Sequence, residues 1–275
     1  MLFPCADSCS DVYYVIRDYG KENGNLSGVG GPEPGYFYHI YMIEKKNIEH
    51  IRAGGNRGTI LVPINYLQDG SMKISIISGS HRINSQSEKV SRYIQHTLQE
   101  QDICDESWLY LLAGNPLPLW DESIWEADPD WMARLLPISE QLAASDGFVI
   151  VCPEWHGQVP AGLKNFFLMW GKGELAHKPA LIVTVSSADG GAYPVAELRM
   201  SSYKNNRLCY IPEQVIVRHV ESVLNADEEK NNPDTDRYFR ERISYALGVL
   251  REYALALVKV RASGAVSLEV FRNGM

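Results

Sequence analysis

After residue 71, two patterns of apolar residues follow each other along most of the chain. One is a short continuous apolar run, and the other has apolar residues three and four positions apart. The apolar run KISIIS, residues 73–78, predicts a buried strand. The following SEKVSRYIQHTLQE, residues 87–100, has apolar residues three and four apart, which predicts a helix. Four more such pairs follow. The later predicted strands are SWLYLLA, GFVIVC, PALIVTVSS and EQVIVRHV, and their helices begin near residues 129, 160, 192 and 234.

Five alternating strands and helices predict an α/β fold with a doubly wound parallel sheet. The first, third and fourth strands are near-continuous apolar runs, as expected when helices cover both faces of a strand. Right-handed crossovers restrict the topology, and a five-stranded sheet of this kind most often has the order 2-1-3-4-5. Ligands bind such sheets outside the carboxyl ends of the strands. We therefore expect function in the loops after strands one, three and four.

Residues 1–71 differ from the rest of the chain in composition. They contain ten of the 22 glycines, and GKENGNLSGVGGPEPG has turn residues but almost nothing to bury. Either strands or a short helix are compatible with the stretches YFYHIYMIEKKNIEHI and GTILVPINYL. We predict an irregular N-terminal extension over residues 1–71, either disordered or lying before a native start at Met72. The α/β domain is predicted over residues 72–262, followed by a C-terminal tail over residues 263–275.

Charge and cysteine usage argue against several classes of function. The net charge of −8 argues against broad nucleic-acid binding. No apolar run approaches the roughly 18 residues that a membrane span needs. The five cysteines are odd in number, irregularly spaced and without a CxxC pair, so neither a metal site nor a disulfide framework is indicated. We predict a cytoplasmic protein with neither nucleic acid nor membrane as a partner.

The loop SGSHRINSQSE joins the first strand directly to a helix. The N-terminus of a helix offers unpaired N–H groups and a partial positive charge, which suit an anion such as phosphate. The hydroxyls of Ser80 and Ser85 and the guanidinium of Arg82 are suitable further donors. The alternative is that Ser85 only caps the helix together with Glu88, and that Arg82 lies in solvent. The loop matches neither a Walker A loop nor the dinucleotide fingerprint.

The loops after the third and fourth strands carry further candidate residues. In CPEWHGQVPAGLKNFF, Pro153 ends the strand, and the following residues offer backbone N–H groups and the aromatic face of Trp155 to a flat ligand. Glu154 and His156 would frame that ligand. The alternative is that Trp155 caps the core and His156 is solvated. In SSADGGAYPVAELR, a Gly-Gly pair permits a close approach of the backbone.

These segments together resemble the NAD(P)H-dependent FMN reductases, a family of flavodoxin-like flavoproteins. The segment GSHRINS resembles the phosphate loop of that family, and PEWHGQVPAGLKN resembles its PEYN…PGxLKN segment. LPLWD resembles the LPLYD stretch after the second strand, and SSADGGAYPVAELR resembles the glycine-containing loop and the helix after it. The motifs cover about residues 72–200, and the domain extends to about residue 262.

The resemblance implies a flavodoxin-like fold, bound FMN, and NADPH or NADH as co-substrate. Hydride passes from the pyridine nucleotide to N5 of FMN, and the electrons pass on to a small-molecule acceptor such as a quinone or a second flavin. No catalytic side chain is implied, because FMN carries the chemistry. A homodimer or homotetramer is implied, with the flavin near a subunit interface. The residues implied to bind FMN are Ser80, Arg82, Asn84, Ser85, Gln86, Ser87, Pro153, Glu154, Trp155, His156, Gly157, Ser187, Gly190 and Gly191.

Three positions depart from the family pattern. Ser87 stands where the phosphate loop usually has Asn, Trp155-His156 stands in place of Tyr-Asn, and Ala161 is an added residue in the segment that follows. These changes bear on substrate preference more than on FMN binding. The physiological acceptor and the choice between NADH and NADPH stay open.

Two other classes of function are compatible with the sequence. One is a flavodoxin-type electron carrier, which binds FMN but does not react with NAD(P)H. Such carriers are usually shorter and more acidic, and their first loop is rich in Thr and lacks Arg. The other is a non-catalytic nucleotide-binding α/β module. Arg82 and the PEWH…LKN segment favour the reductase.

Overall fold

A computed structural model describes residues 71–126 and 128–270, together with the backbone of three strands nearer the N-terminus. The chain divides into two compact units, Met1–Gly70 and Ser71–Met275. The predictions that residues 1–71 are disordered or precede a native start fall mostly outside the described residues, as does the end of the predicted C-terminal tail.

The first unit contains an antiparallel sheet of three strands in the order β2-β1-β3. The strands are β1 (Val12–Asp18), β2 (Tyr38–Glu44) and β3 (Thr59–Pro63). The strands β2 and β3 lie in the two stretches for which the sequence left strand and short helix open, and both form strands.

The second unit contains a sheet of five parallel strands in the order β5-β4-β6-β7-β8. This is the predicted order 2-1-3-4-5 with flavodoxin-like topology, and the prediction is confirmed. Every residue of the three internal strands is buried, as their apolar runs indicated. The strands are β4 (Lys73–Ser78), β5 (Glu106–Leu111), β6 (Gly147–Pro153), β7 (Pro179–Val185) and β8 (Cys209–Val217).

Five α-helices cover the two faces of this sheet. One face packs against α1 and α5 through a core that includes Ile76, Ile94 and Leu247. The other packs against α2, α3 and α4 through a core that includes Phe148 and Phe166. The helices are α1 (Gln86–Glu100), α2 (Pro129–Ala143), α3 (Ala161–Leu168), α4 (Ala192–Met200) and α5 (Pro233–Ala262).

Two of the helix starts follow local sequence signals. Asp128 accepts hydrogen bonds from the N–H groups of Asp130 and Trp131, and Pro129 occupies the first turn of α2. Asn232 caps α5 in the same way by accepting from Thr235. Of the helices within residues 71–126 and 128–270, none is both long enough and apolar enough to cross a membrane.

Candidate functional site

The loops after β4, β6 and β7 lie side by side at the carboxyl edge of the sheet. Backbone hydrogen bonds continue the pairing past the strand ends: Gly79 donates to Val151 O at 2.8 Å, and Glu154 donates to Val185 O at 3.0 Å. Because the three strands are neighbours, loops that are more than 30 residues apart in the chain meet at one edge.

The loop after β4 is held tightly at its start and is open in its middle. A Cβ atom on Gly79 would lie 2.6 Å from Leu163 Cδ2, so this position packs closely against α3. Ser80 is only 2% exposed, and its Oγ accepts a hydrogen bond from Arg82 N at 3.3 Å. Arg82 and Asn84 are exposed, and Asn84 has a positive φ of 54°. Within the described residues, no acceptor lies against the Arg82 guanidinium, which leaves it available to an anion.

The sequence allowed two roles for the first turn of α1: a cap formed by Ser85, or N–H donors to a phosphate. The structure contains both the cap and the free N–H groups. Ser85 Oγ accepts from Glu88 N at 3.1 Å and so caps the helix, while the Glu88 carboxylate pairs with Arg92. The N–H groups of Gln86 and Ser87 precede the first intrahelical bond and have no intrahelical acceptor.

Unpartnered polar atoms lie beside this turn. The buried side-chain oxygens of Gln86 and Ser78 have no hydrogen-bond partner among the described residues. Ser87 is only 1% exposed. Buried polar groups are normally satisfied, so these orphaned atoms are a mark of a polar ligand. The Ser78 hydroxyl, the free N–H groups of the helix and Arg82 can donate to the phosphate end of FMN, whereas the Gln86 amide oxygen can only accept, as from a hydroxyl group of a ligand.

The loop after β6 is a tight hairpin. Trp155 and Gln158 exchange backbone hydrogen bonds of 3.2 and 3.1 Å, and the two residues between them, His156 and Gly157, have φ values of 51° and 73°. Positive φ at both central residues is the geometry of a type I′ turn. Pro153 has no N–H group, and those of Glu154 and Trp155 are occupied. Of the predicted residues 153–157, His156 and Gly157 thus supply the free N–H donors.

Glu154 joins this loop to the loop after β7. Its carboxylate accepts a hydrogen bond from the N–H group of Gly191, and a Cβ atom on Gly190 would lie 2.8 Å from Glu154 Oε1. The sequence predicted that Glu154 frames a flat ligand. In the structure its carboxylate is engaged by the neighbouring loop, so its direct role is to position Gly190 and Gly191.

Trp155 makes a contact that the sequence did not indicate. Its half-buried indole meets the ring of His81 edge to face, with ring centroids 4.6 Å apart and planes at 83°. His81 lies in the loop after β4, and a Cβ atom on Gly162 would be 3.2 Å from its Nδ1. The pair connects the loops after β4 and β6. No local signal marks His81, because its partner is 74 residues away.

The glycine-containing loop after β7 is fixed from three sides. Gly191 has a φ of 101°, and Thr184 Oγ1 donates to its carbonyl at 2.8 Å. Arg218 Nε donates to Gly190 O at 3.0 Å, and Ser187 Oγ donates to Glu221 Oε1 at 3.0 Å. The predicted residues Gly190 and Gly191 therefore line this edge with their backbone, whereas the Ser187 side chain is bound toward the segment after β8.

A lysine holds the segment after β8 against α1. Lys89 Nζ donates to Val220 O at 2.6 Å, to Val223 O at 2.8 Å and to Asn225 Oδ1 at 2.8 Å. Burial lowers the pKa of Lys89 to about 8, although the nearby carboxylates of Glu221 and Asp236 act in the opposite direction. The segment that contacts the glycine-containing loop is thus anchored by a partly desolvated cation.

A second anchor lies between the end of the hairpin and α4. The Glu197 carboxylate accepts from Val159 N at 2.7 Å and pairs with Lys164. Burial alone would raise the pKa of Glu197, but the Lys164 ammonium and the Val159 N–H group hold it below its usual value. Among the described residues, no group of three or more His, Cys, Asp or Glu side chains is placed to hold a metal ion.

Comparison with known proteins agrees with this geometry. The family model described as NADPH-dependent FMN reductase matches residues 72–222. A 2-hydroxy-1,4-benzoquinone reductase of Burkholderia sp is 29% identical over 176 residues, which cover 62% of this chain and 91% of the relative. An NADPH azoreductase of Bacillus sp. (strain OY1-2) is 26% identical over 146 residues, which cover 53% and 76%.

A solved structure shows the same fold. The flavoenzyme NAD(P)H:(acceptor) oxidoreductase FerB of Paracoccus denitrificans superposes with a TM-score of 0.53 at 19% identity, over 66% of this chain and 97% of that one. At this identity the likeness concerns the fold alone. The family match, however, covers more than half of the chain and includes all three loops of the site. The chain belongs to the NADPH-dependent FMN reductase family, and it is an oxidoreductase that uses FMN with NADPH or NADH as co-substrate.

Proposed function

We propose that this protein takes hydride from NADPH, or from NADH, onto bound FMN and delivers the electrons to a quinone or a similar small acceptor. The observation that carries the proposal is the meeting of three loops at one sheet edge, with unpartnered donors at two of them. Two relatives named as a benzoquinone reductase and an azoreductase support the choice of a small conjugated acceptor.

The loop after β4 and the start of α1 would hold the phosphate of FMN. Arg82 supplies a permanent positive charge, and the N–H groups of Gln86 and Ser87 supply donors aligned with the helix dipole. The buried hydroxyl of Ser80 lies at the floor of the same loop. Ser85 Oγ accepts from Glu88 N as the helix cap, and its hydroxyl hydrogen stays free to donate to the same phosphate.

The loops after β6 and β7 would hold the ring of FMN. When bound, FMN supplies a centre that accepts and donates hydride, and the protein has to bind and orient it. The N–H groups of His156 and Gly157 are fixed in the hairpin, so they offer preorganised donors to negative charge on the ring. Trp155 and His81 form an aromatic wall beside these donors. No described side chain is needed as a nucleophile.

The proposed assembly is a dimer or a dimer of dimers. Large apolar side chains remain exposed around a cavity of about 330 Å³ between α2 and α3, and contiguous apolar surface of this kind marks interfaces. The exposed side chains are Trp125, Met132, Leu136 and Leu168. We also propose a cytoplasmic location, which the cysteine pattern predicted.

Sedimentation of the full chain tests this interface. We expect Leu136→Glu and Leu168→Glu to yield monomers, whereas Leu255→Glu, on the exposed side of α5, should sediment like the unchanged protein. If all three variants sediment like the unchanged protein, the surface between α2 and α3 is excluded as the interface.

A visible spectrum of the purified protein, before and after mixing with NADPH, tests the reaction. We expect the absorbance of oxidised flavin to disappear rapidly and to return when a benzoquinone is added. Bound FMN that NADPH does not bleach would instead indicate a flavodoxin-type carrier. A protein that stays colourless after FMN is supplied would indicate a non-catalytic module.

A further inference from the structure

Tyr193 stands at the outer edge of the flavin site without a partner of its own. It is the second residue of α4, and 71% of its side chain is exposed. Its hydroxyl group has no hydrogen bond within the described part of the chain. An exposed tyrosine ring beside a ligand site offers a large apolar face with a polar tip, and such a side chain is well suited to recognition.

The ring of Tyr193 lies against the tip of the hairpin after β6. A Cβ atom on Gly157 would be 3.8 Å from Tyr193 Cδ2, which is ordinary van der Waals contact. Gly157 is one of the two residues with free N–H groups in that hairpin. The aromatic ring therefore borders the donors that we assign to the flavin ring.

Two contacts fix this position. Glu154 binds the N–H group of Gly191, two residues before Tyr193, and Gly157 meets Tyr193 itself. The segments 154–157 and 191–193 are thus joined at both ends. Val195 anchors the same helix in the core and is 7% exposed. The backbone of Tyr193 is consequently fixed at the rim of the site at the start of a helix, and its ring projects from there.

We propose that Tyr193 determines the acceptor preference of the enzyme by stacking its ring on a planar conjugated acceptor as that acceptor lies over the flavin. The inference rests on the proposed function and adds the residue that recognises the acceptor. A quinone or an azo dye presents a flat conjugated face, which pairs well with a tyrosine ring. An acceptor without a ring would gain nothing from this contact.

Steady-state kinetics of the FMN-loaded enzyme with two acceptors test the proposal. Tetramethyl-1,4-benzoquinone has a planar conjugated ring whose methyl groups block the addition of thiols, whereas ferricyanide has no ring. For Tyr193→Ala we expect the KM for the quinone to rise about threefold to tenfold, the fold-change of a typical aromatic pair, and the KM for ferricyanide to rise much less. Tyr193→Phe keeps the ring and should keep the quinone KM within about twofold.

Tyr238→Ala is the matched control, because Tyr238 is also an exposed tyrosine on a helix, 58% exposed on α5, and belongs to none of the three loops. We expect it to change neither KM. Equal changes in both KM values for Tyr193→Ala, or an effect of Tyr193→Phe as large as that of Tyr193→Ala, would overturn the stacking role.

Equilibrium dialysis of the oxidised, FMN-loaded protein against the same quinone, without NADPH, gives a readout that needs no turnover. We expect Tyr193→Ala to raise the Kd about threefold to tenfold, the fold-change of a typical aromatic pair. A wild-type protein that fails to oxidise NADPH would overturn the proposed function, and the Kd would still decide on Tyr193. An unchanged Kd in Tyr193→Ala would overturn the role of this residue.

Discussion

The carboxylate of Glu154 accepts a hydrogen bond from the N–H group of Gly191, and this bond joins two loops that are 37 residues apart in the chain. The backbone of Glu154 is also bound to Val185 O at 3.0 Å. One residue thus ties the end of β6 to β7 through its main chain and to the loop after β7 through its side chain. The relative position of the two loops that would hold the flavin ring depends on it.

Removing the Glu154 carboxylate should weaken flavin binding. We expect Glu154→Ala to reduce the free energy of FMN binding by about 1.5–3 kcal/mol, the size of a hydrogen bond to a charged group, because the two loops lose their connection. Glu154→Gln keeps an oxygen that accepts from Gly191, so its loss of free energy of FMN binding should be less than half that of Glu154→Ala. Fluorescence titration of the apoprotein with FMN measures both values. Equal affinities in Glu154→Ala and the wild type would show that the loops are held by other contacts.

Arg82 should discriminate between FMN and riboflavin. We expect Arg82→Ala to weaken FMN binding by about 1.5–3 kcal/mol, because a charge-assisted contact to the phosphate is lost. Riboflavin lacks the phosphate, so its affinity should hardly change. The same titration with the two ligands provides the control. A similar loss for both would place Arg82 outside the phosphate site.

Gly191 should tolerate no side chain. Its φ of 101° is strained for other residues, and a Cβ atom would lie 2.5 Å from Ile216 Cγ2 and 3.0 Å from Thr184 Oγ1. We expect Gly191→Ala to lower the free energy of unfolding by about 1–3 kcal/mol through backbone strain and overpacking. Gly248→Ala is the control, because Gly248 lies inside α5, where an added Cβ atom would meet no neighbouring side chain within 4 Å. At that position alanine should raise the free energy of unfolding by about 0.5–1 kcal/mol. Urea unfolding of the apoprotein measures both variants. A Gly191→Ala protein as stable as the wild type would contradict the strain at Gly191.

Lys89 should make stability depend on pH in the alkaline range. Its pKa falls from 10.5 in the unfolded chain to about 8 in the folded protein because of burial. Between these values the unfolded chain binds more protons, so raising the pH favours the folded state. The cost of the buried charge is fully present below pH 8 and is gone above pH 10.5.

The comparison with Lys89→Met isolates this effect. The free energy of unfolding of the wild type minus that of the variant should increase from about pH 8 to about pH 10.5. Partial exposure of the amine makes the increase smaller than the full pKa change would give. Denaturant titrations at several pH values measure the difference. A difference that stays constant, or one that decreases, would show that the Lys89 amine is not desolvated in the folded protein.

Residues 1–71 should be dispensable for the flavin chemistry. The compact unit Ser71–Met275 contains the whole five-stranded sheet and all three loops of the site. A chain of 72–275 should therefore bind FMN and oxidise NADPH like the full protein, because a domain of this size has a core of its own. Flavin occupancy, NADPH oxidation and oligomer size are the measurements. An insoluble or flavin-free fragment would show that the N-terminal residues belong to the fold.

Local sequence patterns were sufficient for the architecture. The apolar run of β4 and the periodicity of α1 are properties of neighbouring residues, and burial imposes them wherever such a strand and helix pack. The cap at Ser85 is equally local, because its partner is three residues away. The order of the strands followed from the preference for right-handed crossovers. These features located the three loops without any knowledge of distances between them.

The contacts between those loops were decided by the tertiary structure alone. Glu154 meets Gly191, His81 meets Trp155, and Tyr193 meets Gly157 across 36 to 74 residues of chain. Such pairs depend on the register of neighbouring strands and on the exact angle at which each loop leaves the sheet, and no spacing in the sequence encodes either. The sequence by itself therefore determined the fold and the three loops in which the candidate residues lie. Only the folded chain decided which of those residues donate to a ligand and which hold one another in place.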